Sequence, residues 1–276
     1  MNGPDMNRPR LVAVPDPSPE ESPEQVPAHV VAGFAGEQAG PWESAGHAWD
    51  NGWRIGGTVY SRAGSHAGWS AKVREKLQVE GVRLARPARS TDGRFVLAGW
   101  KANGWIDGTL THHRVDETVG AALRLADALT GLVGPASDTI HDDDPFIRAD
   151  RLAWEETDPL LEQLDVPVQG GHADLLAATT YSGTQAPAVT DLVPFSTLRP
   201  HGYTAALVIV DGLLADMVDE AVIDRFSHIP HLGQLLLRAH AYRRHINELH
   251  PRASSSMRPH LARVREILVS RVSATI

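Results

Sequence analysis

The chain has 276 residues, enough for one large domain or two lobes around a sizeable core. Its net charge of −8, with no basic block, argues against a nucleic-acid partner, because phosphate backbones need clustered Lys and Arg. Absence of cysteine excludes disulfides, a thiolate metal site and a cysteine nucleophile. No apolar run reaches the roughly 18 residues of a membrane span, and the N-terminus lacks the apolar core of a signal peptide. A cytoplasmic protein is expected. Lysine occurs only at 72, 76 and 101, and asparagine only at 2, 7, 51, 103 and 247.

Residues 1–28 include "PDPSPEESPEQVP", a composition that buries too little apolar surface to offset its ordering entropy, so they are expected to form a disordered tail. Residues 29–102 look like strands with one helix. "WRIGGTVYSR" (53–62) and "GRFVLAGW" (93–100) read as strands bounded by turn residues. "HAGWSAKVREKLQVEG" (66–81) reads as a helix stopped by Gly81.

From Lys101 the pattern turns helical. Val119, Ala122, Leu123, Ala126 and Leu129 share one helical face. Asp144 followed by Pro145 predicts an N-cap and first helical residue. "HLGQLLLRAHAYRRHINELH" and "MRPHLARVREILVSRV" predict two closing helices, and "LVIVDGLLADM" (207–217) predicts core. A β-rich segment at 29–102 before a helical segment at 103–276 is the expected organisation, of fold class α+β.

The chemistry-bearing stretch is "GGHADLLAATTYSGTQAPAVTD", residues 170–191. Phosphoryl transfer to a hydroxyl uses a carboxylate that orients the nucleophile, ligands for Mg²⁺, and a cation and a glycine-rich turn on the nucleotide phosphates. "HADLL" supplies a loop with His172 and Asp174, "ATTYSGTQAPAVT" reads as strand–turn–strand, and Asp191 closes it.

This stretch resembles the HGDxxxxN…D signature of the aminoglycoside phosphotransferase and choline kinase-like family. Over most of 29–270 the chain is also similar to an uncharacterised actinobacterial branch of that group, through "WRIG", "WSAKVRE", "RLARP", "STDGR" and a "TD…P…RP" segment. The resemblance implies a two-lobed protein-kinase-like fold. It makes Asp174 the catalytic aspartate, His172 the prop of its loop and Asp191 the metal aspartate. Mg²⁺ and ATP would be the cofactors of an active member. The alternative is that Asp174 and Asp191 are turn residues whose side chains cap backbone N–H groups.

Four departures stand beside the resemblance, the mildest being Ala173 where the signature has its glycine. Where the family carries its metal asparagine the chain has Ala178 and Thr179, and no asparagine lies anywhere in 104–246. Thr179 or Thr180 could stand in, since a threonine hydroxyl can ligate Mg²⁺. At the phosphate-anchoring lysine the chain has Ser61, with Arg62 on the opposite face of that strand. Glu75 on the next helix would be the lysine's partner or a solvated charge. "GPWESAGHAWDNG" lacks GxGxxG spacing and reads as a hairpin in preference to a nucleotide loop. Loss of one preorganised electrostatic contact costs about 10²–10³ in rate. The expected function is therefore a degenerate small-molecule-kinase-like protein that binds an unknown small molecule or protein, or regulates. The alternative is an atypical ATP- and Mg²⁺-dependent phosphotransferase for a small hydroxyl compound.

Other clusters read as structural. In "TIHDDDPF" the acids suit a helix N-terminus, and His240, His245 and His250 recur every five residues, which scatters them around a helix.

Overall fold

The computed structural model describes residues 25–36, 40–132, 134, 144–250 and 255–273. Residues 1–24 of the expected tail, and the acids of "TIHDDDPF" before Asp144, lie outside them. Residues 25–27 lead into helix α1 (Ala28–Gly33), and Val26 is buried.

A five-stranded antiparallel sheet follows. Its strands are β1 (Trp42–Gly46), β2 (Gly52–Ile55), β3 (Thr58–Arg62), β5 (Val96–Leu97) and β6 (Trp100–Gly104), in the order β1-β2-β3-β6-β5. "WRIGGTVYSR" is thus two strands around a Gly56–Gly57 turn. "GRFVLAGW" likewise breaks at Ala98–Gly99, both at positive φ, a two-residue hairpin that starts β6 at Trp100. The antiparallel register pairs Ser61 with Lys101 and Val59 with Asn103, so these four share one face. The other face carries Tyr60, Trp100 and Ala102, which pack with Ile55 against Val26, Val30, Val31 and Phe34 of the α1 region.

Helix α2 (Ala67–Lys76) ends earlier than Gly81 predicts. Leu77 is already extended at ψ 130°, and Gly81 at φ +71° serves the tight turn that pairs Val79 with Val82. Strand β4 (Arg83–Leu84) then pairs in parallel with β9 (Ala188–Val189), which pairs antiparallel with β8 (Thr179–Thr180). This is the strand–turn–strand expected before Asp191.

The helical part is built on α5 (Tyr203–Leu214), in which every residue is buried. It is packed by α3 (Val115–Ala128), α7 (Leu232–Leu249) and α8 (Met257–Ser273), while α4 (Pro145–Thr157) packs on α7. Short α6 (Ala221–Arg225) joins α5 to α7. Asp144 caps α4 by accepting from the Phe146 N–H at 2.9 Å, with Pro145 at the first position, as predicted. Strands β7 (Val168–Gln169) and β10 (Arg199–Pro200), which flank the 170–191 stretch in sequence, pair antiparallel with each other. Beyond Asp191, Arg199 makes a bidentate pair with buried Asp150 of α4 (3.0 and 2.8 Å), which anchors that return segment. The chain is α+β, with a small antiparallel sheet towards the N-terminus and a larger helical part.

Candidate functional site

Three segments meet at Asp191: the 170–174 loop, the end of the β8–β9 hairpin, and the inner face formed by β3, β6 and α2. The loop is held tightly. A Cβ on Gly171 would stand 2.6 Å from the Phe195 ring and 2.9 Å from the Thr204 hydroxyl, so only glycine fits. The next amide, His172 N–H, donates to that hydroxyl at 2.9 Å, and Ala173 N–H donates to the Val193 carbonyl at 2.8 Å.

His172 is fully buried and bridges the two aspartates. Its Nδ1 accepts from the Asp174 N–H at 3.0 Å, which leaves Nε2 as the protonated nitrogen, donating to the Asp191 carbonyl at 3.0 Å. Burial pushes its pKa down to about 4, so the ring is neutral at pH 7. His172 thus props the loop through backbone contacts.

Asp174 is partly exposed. Its Oδ1 accepts from Arg243 of α7 at 3.0 Å, and the same guanidinium makes two 2.6 Å bonds to buried Asp211 of α5. Burial pushes Asp211 up to about 6 even with Arg243 against it.

Asp191 is buried and its carboxylate is filled. Oδ1 accepts from the Ser70 hydroxyl at 2.5 Å and the Leu192 N–H at 2.8 Å, and pairs with Arg74 at 3.0 Å. Oδ2 takes Lys101 Nζ in a short ion pair. Burial alone would raise its pKa, but Lys101 and Arg74 hold it far below the usual carboxylate range. Lys101 is raised despite its burial, by Asp191 and Asp50.

Arg74 is the largest polar investment in the site. Fully buried on α2, it also donates to the Ala85 carbonyl at 2.6 Å, Asn103 Oδ1 at 2.9 Å and the Thr190 carbonyl at 3.2 Å. Helix α2 therefore meets Asp191, beside the Ser70 hydroxyl, with a cation, Arg74. Its neighbour Glu75 points away, in a bidentate pair with Arg89 (2.7 and 2.8 Å).

Ser61 is buried on β3 opposite Lys101, and the cation of this face comes from that neighbouring strand. Arg62 lies on the outer face with its guanidinium 4.5 Å over the Trp100 ring. Thr179 is buried and donates to the Leu175 carbonyl at 2.7 Å. The Ala178 carbonyl accepts from both the amide (3.0 Å) and the hydroxyl (3.1 Å) of Thr190.

A Mg²⁺ ion does not fit these residues as they stand, because both Asp191 oxygens already carry cationic partners. Among the described residues no group of three or more His, Cys, Asp or Glu could hold a metal ion.

The β1–β2 hairpin reaches the site too. Its tip is a single 3₁₀ turn, His47–Trp49, followed by Asp50 and Asn51, both at φ +53°. Asp50 Oδ2 lies 2.7 Å from Lys101 Nζ, and the Ala48 carbonyl accepts from the Thr190 hydroxyl at 2.5 Å. Trp49 is buried against Val59, Ala85 and Ile106, its ring 5.2 Å from that of Trp105 at 25°. His66, at the start of α2, feels Asp191, Lys101 and Asp50 together, and burial lowers its pKa.

Among solved structures the chain is similar to the aminoglycoside phosphotransferase of Alicyclobacillus acidocaldarius subsp. acidocaldarius DSM 446. The TM-score is 0.52 at 12% identity, over 93% of this chain and 97% of that one. The fold is thus the aminoglycoside-phosphotransferase, protein-kinase-like one. No protein-family profile and no curated protein matches the chain.

Proposed function

We propose that this chain is a degenerate member of the small-molecule-kinase group, a binding or regulatory protein with little or no phosphotransferase activity. One observation carries the reading: Asp191, the residue the resemblance assigns to the metal, is neutralised internally by Arg74 and Lys101. A metal ion would have to displace buried charge-assisted bonds, and each displaced cation would be left without its counter-charge in a buried site. The lysine that would neutralise a nucleotide's phosphates is the same Lys101, already shared between Asp191 and Asp50.

The other reading, an atypical phosphotransferase, draws on Asp174. That side chain is partly exposed, only its Oδ1 is engaged by Arg243, and His172 holds its backbone in place. Thermal stability and turnover separate the two. A ligand that binds only the native state adds about 2.7 kcal/mol at 100 times its dissociation constant. Millimolar Mg²⁺–ATP is expected to leave the melting temperature unchanged, with no phosphate transferred to aminoglycosides, amino sugars or choline-like alcohols. Turnover that vanishes in Asp174→Asn would establish the phosphotransferase instead.

A further inference from the structure

The tip of the β1–β2 hairpin behaves as a ligand would. It places a planar indole in an apolar slot, a carboxylate on a buried ammonium and a carbonyl on a buried hydroxyl. Its attachments are nevertheless of a kind that can be exchanged. The Asp50 side chain is 56% exposed, so its bond to Lys101 is open to solvent and to competitors. Trp49 Nε1 is buried with no acceptor among the described residues, which makes the indole a poor polar fit for its own slot. Gly46, at φ +77° and ψ −177°, adopts a backbone conformation essentially confined to glycine. The strand register also slips between Ser44 and Gly46, so pairing is already broken where the tip begins.

We infer that the Trp49–Asp50 tip is a displaceable internal ligand, and that the slot beneath it binds a planar heteroaromatic molecule carrying a single negative charge. The ring requirement follows from the slot: withdrawal of Trp49 uncovers Trp105, Val59 and Ala85, and a flat apolar ring restores that burial. The charge requirement follows from the ions. Arg74 and Lys101 bring two positive charges, Asp191 and Asp50 two negative ones. Once Asp50 leaves, one positive charge is uncompensated. A monoanion restores neutrality, whereas a polyphosphate would crowd several negative charges beside Asp191. The tip in its closed position is autoinhibitory for this site.

The inference goes beyond the loss of phosphotransfer and is read by binding alone, so it stands or falls apart from ATP turnover. The probes are indole-3-acetate and 3′,5′-cyclic AMP, each a planar ring with one charge, with ATP as the polyanionic control. Isothermal titration of the full chain is expected to show at least tenfold tighter binding of one monoanionic probe to Asp50→Asn than to wild type, and no such gain for ATP. Asparagine tolerates the left-handed conformation at position 50, so that variant keeps the loop geometry. Binding should also shift tryptophan emission to the red as Trp49 leaves its slot, and Trp49→Phe should lose that shift. A folded Asp50→Asn protein that binds neither monoanion more tightly than wild type overturns the inference. So does binding with no Trp49-dependent shift.

Discussion

Two arginine-held carboxylate centres meet at the candidate site, and they are built differently. At Asp191 two cations converge on one carboxylate, and both of its oxygens are engaged. At Asp174 the ratio is reversed: one guanidinium, Arg243, serves two carboxylates, and Asp211 takes the larger share. The Asp191 carboxylate is thus closed on both oxygens, while that of Asp174 stays partly open. What separates the two is the ratio of cations to carboxylates, which sets how much of each carboxylate is left for another partner.

The largest effect should come from the centre with only one cation. Arg243→Met strands Asp211 and Asp174 together, and breaking a buried ion pair by removing one partner costs about 3–5 kcal/mol. Arg74→Met should cost less, because Lys101 still faces Asp191. Urea denaturation of both variants checks the order, and the reverse order would break the comparison.

Two buried groups at these centres, His172 and Asp211, should also respond oppositely to pH. His172 has its folded pKa depressed to about 4, so the unfolded chain takes up its proton first. Its contribution is complete above pH 6.5 and is lost as pH falls towards 4, by about 3 kcal/mol in all. Asp211 is raised to about 6, so its protonated form favours the fold and stability rises as pH falls through 6. The two slopes largely offset one another in the wild type. His172→Gln keeps a donor and an acceptor without titrating. The stability gap between wild type and this variant should therefore shrink by about 3 kcal/mol between pH 7 and pH 4.

The smallest effect is expected at Asp174. Asp174→Asn retains an oxygen for Arg243 and loses only a part-exposed charge, so stability should change by no more than about 1 kcal/mol. A loss several times larger in thermal or urea unfolding would show that Asp174 is as structural as Asp211.

Much of the frame was legible from residue pattern alone: a β-rich segment before a helical one, the hairpin ahead of Asp191, the Asp144 cap and the buried α5. The polar partners were not. Reading β3 by itself leads to Ser61, whereas the cation sits one cross-strand neighbour away at Lys101. That pairing depends on where the Ala98–Gly99 turn ends, and a contiguous reading of 93–100 as one strand hides it. Helix α2 presents a harder case. Its buried positions are Ala67, Ser70, Ala71 and Arg74, small or polar residues with no apolar stripe to set the phase. Nothing local therefore distinguishes inward Arg74 from outward Glu75.

The parallel pairing of Arg83–Leu84 with Ala188–Val189 has a consequence for how the chain is made. The partners of Asp191 come much earlier in sequence; Ser70, for one, is 121 residues before it. During synthesis, Arg74 and Lys101 leave the ribosome long before their carboxylate does. Contacts of such sequence separation form slowly, because loop closure must precede them. Until then the sheet has two cations to bury and only Asp50 to meet them. A fragment cut in the Lys101–Asn103 region, where composition changes, would inherit the same imbalance. The two parts of this molecule differ in architecture, and the Asp191 contacts tie completion of the first to synthesis of the second.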